Sequence, residues 1–319
     1  MGATFRTETS TLRVTAMDAF IATNNPETLV ARADVPDPEP ARDEVVIAVE
    51  AYSINRGEVI LLRGPARENW RPGADVAGRV VVAAVDGSGP AVGARVAAHA
   101  EQGGWAQRVA VATGGVAELP DAVSFEDAST LGVAALTALR LLRVVDDVSG
   151  RRLLITGASG GVGHFLTELA VTRGAEVTAV SHRGDRLRAL GATVVEDVAG
   201  GPYDVVFESV GGATLVNAIR VTAPGGTLVW LGEASGEPAT LHFFDVAGGD
   251  GPPAAIVPFS YWRTGASDAD DLAILVRLVA GGWLHPVVGV VEDWAETPRL
   301  LRALAGRELT GKAVLRVSG

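Results

Sequence analysis

The chain has 319 residues, is 48% hydrophobic and 20% charged, and carries a formal net charge of −11. That length and composition suit two ordinary domains with a large core, and the acidic balance, with no basic run and no aromatic-interleaved patch, speaks against a nucleic-acid partner. There is no cysteine, which excludes disulfides, cysteine nucleophiles and cysteine metal sites and agrees with a cytoplasmic setting.

Residues 1–16 lack the apolar core of a signal peptide and read as a flexible extension, since Met17 looks like the start of the first strand. No apolar run reaches the ~18–20 residues of a membrane span, so no membrane is expected. Residues 17–122 read as many short strands. The stretches 19–22, 44–49 and 78–85 are apolar and β-branched, and Pro36, Pro38, Pro40, residues 87–90 and Gly103-Gly104 separate them. A compact, barrel-like β-domain is expected. Residues 125–143 are helical by pattern, with Ser124 as the cap, Asp127 three residues on, and Gly132 as a break between two helices.

The stretch 151–183 has the order strand, glycine turn, helix, strand. Residues 152–156 are a short apolar run, as a buried parallel strand is. Gly157-Ala-Ser-Gly-Gly-Val-Gly163 follows directly, then a helix with Phe165, Leu166, Leu169 and Ala170 on its inner face and Glu168 and Arg173 off it. A dinucleotide pyrophosphate needs backbone N–H donors, and a helix start offers them at the positive end of its dipole. Gly160 and Gly161 allow close approach, and Gly163 allows tight helix packing; Ala158 stands where the usual motif has its first glycine. At the end of the second strand, where NAD-binding proteins place a carboxylate, stand Ser181, His182 and Arg183. Arginine binds a 2′-phosphate that a carboxylate repels, so the expected cofactor is NADPH rather than NADH.

Further strands are expected at 193–196, 203–208, 227–231 and 254–257, which makes six in one doubly wound sheet. The stretch 268–279 is an amphipathic helix with Leu272, Leu275, Val276 and Val279 inward. Strands at 287–291 and 313–317 flank a helix at 298–305 and look like a return to the first domain. The fold class is therefore α/β, with a β-rich domain over 1–134, a doubly wound parallel six-stranded nucleotide domain over 135–260, and a return over 261–319. The sixth strand would be an exposed apolar edge, so a homodimer paired through it is expected.

In this order the chain resembles the medium-chain dehydrogenase/reductase superfamily, and within it the zinc-free quinone oxidoreductase branch with its enone and enoyl reductases. The similarity covers residues 17–319. It is carried by Tyr52-Ser-Ile-Asn-Arg-Gly-Glu58, Pro72-Gly-Ala-Asp-Val-Ala-Gly78, Leu136-Thr-Ala-Leu139, Ala158-Ser-Gly-Gly-Val-Gly163, Phe207-Glu-Ser-Val-Gly-Gly212 and Gly311-Lys-Ala-Val-Leu315. The resemblance implies a GroES-like catalytic domain and a Rossmann domain. Zinc alcohol dehydrogenases of the superfamily hold catalytic zinc with Cys, His and Cys. The matching positions here are Asn55, Ala74 and Val133, none of them a good zinc ligand. The lobe of structural cysteines is absent, and the five histidines show no ligand spacing, so no metal is expected.

Without zinc, a carbonyl must be polarised by hydrogen bonds and given a proton. Asn55 is the candidate donor, since it replaces a metal ligand at the cleft; the alternative is an Asn bonded to nearby backbone. Tyr203 reads as core and Tyr52 as structural or facing away. Tyr261 follows the segment that the resembled family places over nicotinamide and substrate, so Tyr261 or Trp262 is a candidate pocket residue and Tyr261 a candidate proton donor; an exposed loop aromatic is the alternative. Some enoyl reductases of the superfamily carry Tyr directly after the motif Asn, where this chain has Arg56, which weakens the enoyl-thioester reading. For the cofactor, the resemblance implies backbone contacts from Ser159, Gly160, Gly161, Val162 and Gly163. It also implies 2′-phosphate contacts from Ser181, His182 and Arg183, and carboxamide or ribose contacts from Thr137, Val210 and Gly232. Lys312, the only lysine, is expected on a phosphate or ribose. The leading function is an NADPH-dependent reductase of quinones or α,β-unsaturated carbonyls. A non-redox cyclase or isomerase of the same fold is the alternative, motivated by the Gly/Pro-rich segment 232–253 near the expected pocket. An alcohol dehydrogenase is disfavoured by the missing zinc ligands.

Overall fold

A computed structural model of the chain describes residues 16–65, 70–248, 251–261 and 264–318. Apart from Ala16, the expected extension lies outside the described residues, as does Trp262.

The β-rich part contains β1 (Ala16–Ala22), β2 (Val30–Pro36), β3 (Glu44–Ser53), α1 (Arg56–Arg63), β4 (Asp75–Val82), β5 (Arg95–His99), β6 (Arg108–Ala112) and β7 (Val116–Glu118). Then come α2 (Phe125–Ala128), α3 (Leu136–Val144), β8 (Arg152–Ile155), α4 (Gly161–Thr172), β9 (Glu176–Val180), α5 (Asp185–Ala189) and β10 (Thr193–Val195). β11 (Tyr203–Glu208), α6 (Gly212–Arg220), β12 (Thr222–Trp230), α7 (Phe243–Ala247) and β13 (Ala255–Pro258) follow, and α8 (Asp268–Ala280), β14 (Val288–Asp293), α9 (Thr297–Ala305) and β15 (Lys312–Arg316) end the chain.

β3 is the spine of the first sheet. It pairs antiparallel with β4, β6 and β15, and the sheet runs β14-β15-β3-β4-β5-β7. β3 is four residues longer than its apolar pattern suggests, because Ala51, Tyr52 and Ser53 are clamped between β15 and β4. Tyr52 is fully buried, stacks on Trp105 with ring centroids 5.9 Å apart and hydrogen-bonds Thr297 Oγ1 at 2.6 Å, so its role is structural.

The second sheet is parallel and runs β10-β9-β8-β11-β12-β13, the doubly wound order that the alternating pattern predicts. Its strands are continuous apolar runs because α3, α4 and α8 cover one face and α6 the other. Tyr203 is core, with its hydroxyl donating to Ala199 O at 2.7 Å.

One local expectation, the break at Gly132, holds, and two others need correction. The helical pattern over 125–143 is broken into α2, a π-helical turn over Leu131–Ala135, and α3. At Gly132 a Cβ would lie 2.6 Å from Asp75 Oδ1 and 3.2 Å from Ala98 O, so the turn rests directly on the first sheet. Glu168 does not face solvent. It is 4% exposed and accepts from His285 N at 3.0 Å and bonds His285 Nδ1 at 2.5 Å, because the segment after α8 packs over that side of α4. The Gly/Pro-rich segment also divides. Its start stays by the glycine turn's neighbour, with Ser235 N bonded to Val210 O at 2.7 Å. Its later part runs to the opposite end of the strands, where Asp245 pairs with Arg220 at 2.8 Å and Gly225 N donates to Pro252 O at 2.8 Å.

Candidate active site

Adjacent antiparallel strands place directly opposed residues on one face. Ser53 on β3 opposes Asp75 on β4, and Asp75 opposes His99 on β5. The strand ends thus line up a polar row under Gly132. Ser53 Oγ donates to Asp75 Oδ2 at 2.6 Å. Lys312, at the start of β15, brings its ammonium to the same Oδ2 at 3.1 Å and to Ile54 O at 3.2 Å, and it also donates to Asn55 Oδ1. Asp75 Oδ1 is buried with no hydrogen-bond partner among the described residues.

Asn55 caps α1 at the edge of this row and is half-buried. Its amide donates to Asp75 Oδ2 at 2.9 Å while its carbonyl accepts from Lys312. One amide hydrogen is used by this bond, and an Asn side chain carries two. Glu58, one turn into α1, accepts from Asn55 N at 2.8 Å and from Ala74 N at 2.9 Å. Burial, reinforced by the negative charge of Asp75, pushes its carboxyl up to about 8, against the pull of these hydrogen bonds. Asn55, Ala74 and Val133, the positions matched to zinc ligands, are all half-buried. Among the described residues no group of three His, Cys, Asp or Glu side chains converges to hold a metal.

Tyr261 reaches the row from the far side. Its hydroxyl lies 3.4 Å from His99 Nε2, and the rings meet edge-on with centroids 5.4 Å apart. His99 Nδ1 bonds Asp268 Oδ2 at 2.7 Å. Burial first, then the negative charges of Asp75, Asp268 and Glu58, push the Tyr261 phenol up to about 12. The buried Arg140 on α3 holds this segment in place. It pairs with Asp268 Oδ1 at 2.5 Å and Asp271 Oδ2 at 2.8 Å, and donates to Tyr261 O at 3.2 Å.

The glycine turn sits above the row. Gly157 has φ +60°, and a Cβ on Gly163 would lie 2.6 Å from Ala158 Cα and from Gly157 O, so the turn packs as tightly as a close backbone approach demands. Gly160 caps α4, whose first amides have no intrahelical acceptor and point away from the helix. Those of Gly161, Val162 and Gly163 belong to this first turn and Ser159 directly precedes the cap, so the residues fit a pyrophosphate. Thr137 is buried on α3, and Val210 and Gly232 are half-buried beside the turn. The amides of Val210 and Gly211 donate to the buried Glu208 carboxylate at 2.8 and 3.1 Å. Ser181 Oγ accepts from Arg183 N at 3.0 Å, His182 is exposed, and the Arg183 guanidinium, also exposed, donates to Leu309 O at 2.9 Å and Thr310 Oγ1 at 2.8 Å. The Lys312 stem passes under the turn, with Cδ 3.0 Å from a Cβ built on Gly161, and its ammonium bonds Asp75 and Asn55.

Ser53, His99, Arg140 and Asp268 escape a reading of the sequence as site residues. Asp75 was visible only as a motif letter. His99 and Asp268 are 169 residues apart, so no spacing rule joins them.

A GroES-like sheet, a doubly wound nucleotide sheet and a polar row at their junction define a two-part dinucleotide-dependent dehydrogenase/reductase. The family described as alcohol dehydrogenase GroES-like domain matches residues 41–121, and that described as zinc-binding dehydrogenase matches residues 174–315. The quinone oxidoreductase of Mus musculus is 27% identical over 289 residues, with 83% of this chain and 86% of that protein covered. A spectinabilin polyketide synthase system protein of Streptomyces orinoci is 31% identical over 301 residues, which is 86% of this chain; the chain spans only 13% of that relative's length. A mycobacterial protein solved in complex with NADPH superposes with a TM-score of 0.83 at 26% identity, covering 94% of this chain and 99% of that one. The chain belongs to the medium-chain dehydrogenase/reductase superfamily, in its quinone oxidoreductase-like branch.

Proposed function

We propose that this chain is an NADPH-dependent, zinc-independent reductase that delivers hydride to a quinone or an α,β-unsaturated carbonyl. The observation that carries this is the placement of Asn55, one of the three positions matched to zinc ligands, with Lys312 and Asp75 beneath the glycine turn. Bound NADPH supplies the hydride. The chain supplies the rest. The remaining N–H of Asn55 donates to the acceptor's carbonyl oxygen, and Lys312, bonded to the same amide's carbonyl, polarises it toward stronger donation. Tyr261, kept as a phenol by its surroundings, holds the proton that the reduced acceptor takes. Ser159 to Gly163 bind the pyrophosphate, Thr137, Val210 and Gly232 border the nicotinamide, and Ser181, His182 and Arg183 favour the 2′-phosphate.

Among the described residues β13 has a neighbour on one side only, and Phe244, which lines one cavity with Ile256 of β13, is 79% exposed. A homodimer pairs this edge; light scattering at twice the chain mass checks it, and a monomer defeats it. No described helix is long and apolar enough to cross a membrane. The function is tested by NADPH oxidation against benzoquinone, naphthoquinones, simple enones and an enoyl thioester, with NADH in parallel. Turnover of one acceptor class with NADPH preferred supports the proposal, and NADPH binding without turnover of any acceptor defeats it.

A further inference from the structure

A carbanion or enolate left by hydride addition must take a proton, and a buried phenol that gives one away must be recharged. We propose that His99 and Asp268 form a relay that feeds Tyr261, with Tyr261 touching the substrate and the other two acting through it as positioning residues. This rests on the reductase reading above.

The geometry is that of a chain of proton carriers. Asp268 Oδ2 lies 2.7 Å from His99 Nδ1, and His99 Nε2 lies 3.4 Å from the Tyr261 hydroxyl. A carboxylate at Nδ1 keeps a hydrogen on that nitrogen, which leaves Nε2 as the atom that exchanges protons with the phenol. Each member is held by independent means. His99 closes β5 opposite Asp75. Asp268 opens α8, one residue after the cap Ser267, whose hydroxyl accepts from Asp270 N. Arg140 grips both ends, with Asp268 Oδ1 at 2.5 Å and Tyr261 O at 3.2 Å. Burial alone would raise the Asp268 carboxyl, but the hydrogen bonds from His99 and Arg140 hold it below its ordinary value, so it stays an anion able to support an imidazolium.

The groups facing the imidazole are Asp75 across the strand pair, Tyr261 on the loop, and Asp268 with Arg140 behind it; Lys312 and Glu58 stand beyond Asp75. The Tyr261 O–H bond breaks and a C–H or O–H bond forms on the reduced acceptor. The His99 Nε2–H bond then breaks and the phenol O–H reforms, leaving neutral His99 with its Nδ1–H on Asp268. A solvent proton returns to Nε2 after product leaves. A purely structural tie between the loop and the sheet would need the same bonds, but no exchange through them.

The experiment separates these. In steady-state turnover of NADPH with the best acceptor, Tyr261→Phe lowers kcat by about 10²-fold or more. His99→Gln lowers kcat less, leaves KM for NADPH unchanged, raises the solvent deuterium isotope effect and alters the pH profile of kcat. The double variant is no slower than Tyr261→Phe alone. Independent losses that multiply in the double variant, or an unchanged pH profile in His99→Gln, overturn the relay. A second readout needs no turnover: in 15N-histidine NMR spectra of the full chain, Tyr261→Phe and Asp268→Asn each shift the His99 titration midpoint. An unmoved midpoint overturns the relay. Failure of the wild type on every acceptor counts against the reductase reading, whereas an unmoved midpoint counts against the relay alone.

Discussion

The Asp75 carboxylate and the Lys312 ammonium meet at 3.1 Å with side-chain exposures of 0% and 5%. They are 237 positions apart, and their contact ties the last strand to the row beneath the glycine turn. Desolvating both charges is costly, but Ser53, Asn55 and Ile54 O add hydrogen bonds that help compensate.

Removing one partner leaves the other buried and unpaired. Lys312→Met is expected to destabilise the fold by roughly 3–5 kcal/mol. Lys312→Met combined with Asp75→Asn is expected to cost less than the sum of the two single changes, because the double variant buries no lone charge. Urea denaturation of the four proteins measures this, and strict additivity would mean that the pair is not coupled.

Asn55 carries the donor role in the proposed reaction. Asn55→Ala is expected to lower kcat by about 10²–10³-fold with little change in NADPH affinity. Stopped-flow hydride transfer reads the step directly. An equal loss in NADPH affinity would show that Asn55 shapes the cofactor site instead.

Arg183 should discriminate between cofactors. Arg183→Ala is expected to raise KM for NADPH about 10- to 100-fold, the loss of a charge-assisted bond, while KM for NADH stays unchanged. The NADH control matters because Arg183 also braces Leu309 and Thr310. A rise for both cofactors would assign it to that brace.

Glu58 predicts a pH effect on stability. Its carboxyl is raised from 4.5 to about 8 in the folded chain, so between these values the folded state binds a proton that the unfolded state has lost. Stability therefore falls as pH rises through this window, by up to about 1.4 kcal/mol per pH unit from this group. Glu58→Gln removes the titration and should flatten the fall in denaturation midpoint between pH 5 and pH 8. Parallel curves for the two proteins would contradict it.

The strand, glycine turn and helix are readable because their signal is local. A buried strand, residues 157–163 and an amphipathic helix follow one another within one window, and backbone geometry there depends on glycine and on helix capping. The inner face of α8 and the order of the six parallel strands were readable for the same reason, since periodicity and alternation are local quantities. Glu168 shows where this ends: on the helix it reads as solvent-facing, and only the return segment with His285 buries it.

The strand–turn–helix frame, and residues other than good zinc ligands at the matched positions, can be read from the residues alone. The convergence of the polar side chains is settled by the three-dimensional packing. Lys312, the only lysine, meets Asp75, and Tyr261, His99 and Asp268 meet although two of them are 169 residues apart. Convergence of this kind depends on strand register and on how one sheet docks on the other. Those are sums of many weak contacts across the chain, and no window of sequence contains them.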